Sequence, residues 1–146
     1  MKPRSWAQKM IDWALAAFGL QRWDVNTILE TGMDRVADSH LQPEYEVALI
    51  RFDANTKNNK QGQIAALHEV VHLQHSPLYI SWEYVLALVP EEHRDVARKM
   101  LNEADELVVQ RWAVAWQERH ELEERHQAVI DGLNAAIKNI GTPTDM

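Results

Sequence analysis

The sequence predicts an α+β fold, mostly helical, with a small antiparallel or mixed sheet beside one central helix. Three observations carry this. Apolar residues recur at helical spacing over Gln63 to His75 and again from Pro90 to about Ile137. The stretch Glu44 to Phe52 alternates with the two-residue period of a strand. The chain has 146 residues, 46% hydrophobic and 25% charged, which is one domain's worth able to bury a core without staples. The expectation is a single domain over residues 1–146 with a long C-terminal helical region over 91–138.

The elements follow in chain order. Ser5 is placed to cap a helix running to about Phe18, with Trp6, Met10, Trp13 and Ala17 at helical spacing and Gly19 as its stop. Gln21 to Leu29 reads as a strand, because Trp23, Val25 and Thr27 alternate with Asp24, Asn26 and Ile28; Thr31-Gly32 breaks it. In Glu44 to Phe52, Tyr45, Val47, Leu49 and Arg51 point one way and Glu46, Ala48, Ile50 and Phe52 the other. Asp53 to Gly62 is a polar, exposed loop. Gln63 to His75 is a helix closed by Ser76-Pro77, since the residue before proline is pushed out of the helical region. Ile80 to Leu88 reads as a short buried helix. Pro90 opens another, with Glu91 and Glu92 in the first turn, where carboxylates suit the helix dipole. A single helix from there to Ile137 is unusually long, so a turn is expected near Gln117 to Glu121. Thr142 to Met146 should fray.

Composition excludes several classes. There is no cysteine, so disulfides, thiolate chemistry and cysteine-rich zinc modules are out. The net charge is −7, the isoelectric point is near 5.4, and no basic cluster suits duplex nucleic acid. Lys2, Arg4 and Lys9 imitate the start of a signal peptide, but Asp12 interrupts Met10 to Leu20 and no clear cleavage site follows. No segment reaches the ~18 apolar residues of a membrane span. Neither a nucleic-acid nor a membrane partner is expected, and the cytoplasm is the expected location. Six tryptophans read as core or amphipathic surface. His40, His120 and His126 read as solvated residues.

One constellation carries chemistry. His68-Glu69-Val70-Val71-His72 matches HExxH. Histidines four apart lie one turn apart on the same helix face, so two imidazole nitrogens can converge on one divalent ion, with zinc the best candidate. Glu69 lies roughly 60° around the helix from His72, by the 3.6-residue period. It can reach a water on that ion without being a ligand, take its proton and pass it to a leaving amine. With seven histidines and thirteen glutamates the motif arises by chance in about 3% of such chains. Its place in a helical stretch, after a polar loop and a strand, makes a metal site the better reading. Ile64, Leu67, Val71 and the two histidines cover one broad face of that helix.

Two histidines do not fill a catalytic zinc's protein shell, which wants a third ligand and an open position. His75 lies two turns from His68, and three ligands on one straight helix converge poorly. A histidine ten residues after His68 is absent, since position 78 is leucine. A glutamate from the following helix is the other source, either Glu103 or Glu106. Glu106 is followed by Leu107, Val108 and Val109, and an acid in apolar surroundings needs a partner. Asp53, Asn102 and Asp105 are available to orient the ligand histidines through their second ring nitrogens.

With these residues the chain resembles small gluzincin-like zinc metallopeptidases, especially the phage and prophage metallopeptidase family, and more distantly the ImmA/IrrE group. The resemblance runs from about Trp23 to Ala113, with Glu106, Val109 and Trp112-Ala113 standing for the later helical element; tryptophan replaces a more usual leucine or phenylalanine. It implies a minimal zincin-like domain, with His68, His72 and Glu106 as zinc ligands and Glu69 as general base of a peptide hydrolase. It implies a peptide or protein substrate that pairs with an edge strand, for which Tyr45 to Asp53 is the candidate. It also implies an oxyanion donor, for which Tyr79, Tyr84 and His93 are candidates. A phage-encoded enzyme would work in the host cytoplasm. The alternative function is a zinc-containing module that binds a host protein with little or no peptidase activity; the acidic segment Glu118 to Arg125 and the tryptophans suit such a surface. A metal-free helical adaptor is the third class.

Overall fold

The computed structural model describes residues 5–140, so Lys2, Arg4 and the tail from Thr142 to Met146 lie outside the described residues. The order is α1 (Trp6–Ala17), β1 (Asp24–Glu30), β2 (Ala37–Gln42), a 3-10 turn (Pro43–Tyr45), β3 (Val47–Asp53), α2 (Lys60–Leu86) and α3 (Glu91–Ile140). This is a mostly helical α+β arrangement with a three-stranded open sheet.

Ser5 caps α1 as expected: its side-chain oxygen accepts the Gln8 amide at 3.1 Å. The helix buries Ala7, Met10, Ile11, Ala14 and Leu15. Gly19, at φ +71°, turns the chain in the left-handed region that glycine adopts without a Cβ penalty. The strand order is β1-β3-β2, with β1 parallel and β2 antiparallel to β3. Thus the sheet is mixed, and Tyr45 to Asp53 is not an edge. β3 is its centre, and β2 forms the edge beside α2. The expected strand also begins late. Pro43 starts a 3-10 turn, and Glu46 at φ 52° breaks the extended backbone before Val47. Ala48, Ile50 and Phe52, which alternate onto one face, are buried under the helices. On the other face Arg51 bonds Asp38 of β2 and Glu30 of β1, tying the three strands together.

Two further expectations are overturned in the helices. α2 does not stop at Ser76-Pro77. It runs 27 residues through Pro77, so the expected helix over Ile80 to Leu88 is its last stretch and is largely exposed. Proline removes one backbone donor from the ladder, but Ser76 is 4% exposed and the turn beyond is anchored through Tyr79, so packing outweighs that loss. No turn interrupts α3 near Gln117 to Glu121 either. Gln117 is buried, with its amide on Gln63, and ion pairs Arg119–Glu123 and Glu121–Arg125 support the helix there.

The N-terminus of α2 is fixed by Asn59, whose side chain accepts the Gly62 amide at 2.9 Å. Gly62 is required: a Cβ there would collide with the Lys57 carbonyl oxygen. From this start α2 lays Ala66, Leu67, Val70 and Leu73 into the core with Phe52 and Ile50. α3 returns antiparallel to α2. The pairs Glu83–Arg98, His75–Asp105, His68–Gln110 and Gln63–Gln117 step along the two helices in opposite directions.

Candidate metal centre

The antiparallel pairing of α2 and α3 brings Glu106 opposite His68 and His72. Nε2 of His68 lies 2.9 Å from one carboxylate oxygen of Glu106, and Nε2 of His72 lies 3.1 Å from the other. The three side chains form a cluster able to hold a metal ion, with one ligand atom from each within 4.8 Å of the others. The edge of a zinc tetrahedron built on ~2.0 Å bonds is about 3.3 Å, close to both separations.

The outer nitrogens of the two rings are also engaged. Nδ1 of His68 donates to Oε1 of Gln110 at 2.9 Å. Nδ1 of His72 donates to the Tyr79 hydroxyl at 2.6 Å, and that hydroxyl donates to Oδ2 of Asp105 at 2.7 Å. Asp105 is 8% exposed, and its other oxygen holds Nδ1 of His75 at 2.8 Å. Burial, then the Asp105 bond, push the Tyr79 pKa far up, so its single proton stays on the hydroxyl and points at Asp105. The hydroxyl therefore meets His72 as an acceptor, which places the His72 proton on Nδ1. Burial also holds the His72 pKa below its ordinary value, against the pull of Glu69 and Glu106. With Nδ1 of each ring engaged by an outer partner, both Nε2 atoms are left facing the Glu106 carboxylate. The donor set, two imidazoles and a carboxylate with outer partners on both rings, fits a divalent metal ion.

Glu69, 7% exposed, borders the same space. A cavity of about 570 Å³ opens over His68, Glu69, His72, Tyr79 and Glu106. Its opposite wall is β2, through Ala37, Asp38, Ser39 and Leu41, with Asp34 and Arg35 of the preceding loop at the rim.

Other candidates lie elsewhere. His75 faces Asp105, and Glu103 pairs with Lys99 at 3.9 Å, so neither joins the cluster. Tyr79 borders the cavity with its hydroxyl held by His72 and Asp105, whereas Tyr84 and His93 are exposed. Of the expected outer partners, Asp105 meets His72; Asp53 accepts the Asn55 amide, and Asn102 is exposed. His120 is not a solvated residue: its side chain is 12% exposed and packs edge-on to Trp13 at 4.6 Å. Sequence reasoning missed Gln110 as the partner of His68. Its signal was spacing, since Gln110 lies one turn from Glu106 on the side of α3 that faces α2. It also missed β2, whose short polar run carries little apolar alternation.

No family model, curated protein or solved structure matches the chain. The geometry of the site therefore carries the functional assignment.

Proposed function

We propose that the protein is a zinc-dependent peptide hydrolase of the gluzincin kind, with His68, His72 and Glu106 as ligands and Glu69 as general base. The observation that carries this reading is the convergence of two imidazole Nε2 atoms and one carboxylate beside a nearly buried second carboxylate, in a cavity walled by a sheet edge. Zinc bound there would supply Lewis acidity toward a carbonyl and lower the pKa of water. Glu69 takes the proton of the attacking water and returns it to the departing amine. Tyr79, Asp105 and Gln110 hold the two imidazoles in one tautomer and orientation.

The sheet edge favours an extended peptide as substrate. Asp53 donates to the Val36 carbonyl at 2.9 Å, so in the alternating ladder Asp38, His40 and Gln42 face β3 with their backbone groups. The backbone groups of Ala37, Ser39 and Leu41 then point away from β3, and all three residues line the cavity. A peptide strand laid there gains main-chain hydrogen bonds that hold its scissile carbonyl near the histidines. In this reading β2, not β3, receives the substrate.

The test is Glu69→Gln. It should keep one metal ion per chain and the native helical spectrum while losing at least 100-fold in hydrolysis across a diverse peptide library. A metal-loaded wild-type protein that cleaves nothing in that library would favour the interaction-module function instead.

A further inference from the structure

The C-terminal half of α3 leaves the body of the fold. α1 touches α3 through Trp13 and Phe18 on Trp116, Trp13 on His120, and the Trp13 indole on Glu123. From Leu122 to Ile140 every residue except Ile130 is exposed. Yet this arm is not polar on all sides. Leu122, Val129, Leu133, Ile137 and Ile140 are 61%, 61%, 59%, 65% and 84% exposed. Positions 122, 126, 129, 133, 136 and 140 follow the alternating four-three spacing of a coiled-coil seam, with His126 and Ala136 completing it and Ile130 and Ile137 widening one flank. A projecting helix of this length, containing Gly132 and two asparagines, is marginal in water without packing.

We propose that this arm pairs with the arm of a second copy of the chain, antiparallel. Area is the first argument. Five largely exposed aliphatic side chains at roughly 100 Å² each give about 500 Å² per copy. Two copies then bury about 1,000 Å², the size at which specific interfaces begin. Self-complementarity is the second. An antiparallel pairing sets Leu122 against Ile140 of the second copy, His126 against Ala136, and Val129 against Leu133, so aliphatic residues meet aliphatic ones and the bulkier imidazole meets the small alanine, symmetrically about the two-fold axis. The flanks then bring Glu123 to Ile137 and Arg125 to Asn139, with no like charges opposed. A parallel pairing would instead set Glu118 against Glu123 and crowd the two bodies together. Charge disfavours an anionic lipid surface: from Glu118 to Ile140 the arm carries Glu118, Glu121, Glu123, Glu124 and Asp131 against Arg119, Arg125 and Lys138.

The experiment is sedimentation equilibrium of the full chain. Wild type should be a dimer at tens of micromolar. The double variant Val129→Glu/Leu133→Glu should be a monomer with unchanged metal content, which separates loss of pairing from loss of the fold. Orientation is read by cross-linking, since the chain has no cysteine of its own. Leu122→Cys and Ile140→Cys proteins, mixed and oxidised, should join to each other and neither to itself. A monomeric wild type at hundreds of micromolar, a dimer that survives the double variant, or self-linking of either cysteine variant would each overturn the proposal.

Discussion

Tyr79 and His72 share a 2.6 Å hydrogen bond across two turns of α2, and Asp105 of α3 fixes its direction by taking the Tyr79 proton. The position of one proton on His72 thus depends on a carboxylate that never touches the cavity's reacting space. Tyr79→Phe and Asp105→Asn should each keep the fold but weaken metal affinity by about 10–100-fold, the usual effect of removing an outer partner of a ligand histidine. Competition with a chromophoric chelator measures this directly. Equal affinities in wild type and both variants would mean that the chain of bonds does not orient the ligand.

Acid should act on the metal-free protein through His72. Its pKa is lowered in the fold, chiefly by burial. Between the ordinary value near 6.5 and the lowered one, the unfolded chain binds a proton that the folded chain refuses. Stability therefore falls as pH drops through 6.5, and this contribution levels off below the folded value. Urea unfolding of apo protein at a series of pH values should show that slope, and His72→Gln should flatten it.

Free-edge hydrogen bonding can be tested without disturbing the sheet. The Ser39 amide faces away from β3, so Ser39→Pro removes a donor from the cavity wall and none from the ladder. Hydrolysis of peptides should fall at least 10-fold in kcat/KM, with metal content and thermal stability near wild type. Asp38→Pro, whose amide faces β3, should instead lower the melting temperature. Unchanged kinetics in Ser39→Pro would remove β2 from substrate binding.

Close packing at the entrance to α2 predicts a stability loss. Gly62→Ala places a methyl group against the Lys57 carbonyl oxygen and near the Trp6 ring. The backbone must shift, and a cost of about 1–3 kcal/mol is expected from overpacking of this kind. Denaturant titration at neutral pH reads it.

Much of this arrangement is legible in the sequence, and the failures have physical causes. The Ser5 cap, the Gly19 stop and the two-residue alternation of β3 come from local rules that tertiary contacts leave intact. So does the helical face that carries His68 and His72. Pro77 misleads because the rule for the residue before proline is local, whereas buried Ser76 and the Tyr79–Asp105 bond draw on α3. The extra turns matter to the site: a helix ending at Ser76 would not carry Tyr79 back over His72. The expected break near Gln117 rests on length alone, and no glycine or proline between Glu91 and Asp131 supports it. β2 is hidden because its residues pair with β3 by backbone groups, which the side-chain pattern does not record. The grouping of Glu106 with the two histidines depends on the register of two helices, and the sequence narrows it only to a glutamate on the later helix.

The central claim is that His68, His72 and Glu106 hold one divalent ion. Elemental analysis of protein equilibrated with zinc and then freed of excess metal tests it most directly. Wild type should carry about one zinc per chain, and the His68→Ala/His72→Ala double variant, still folded by circular dichroism, should carry none. A folded double variant that retains the full complement of zinc would contradict the account.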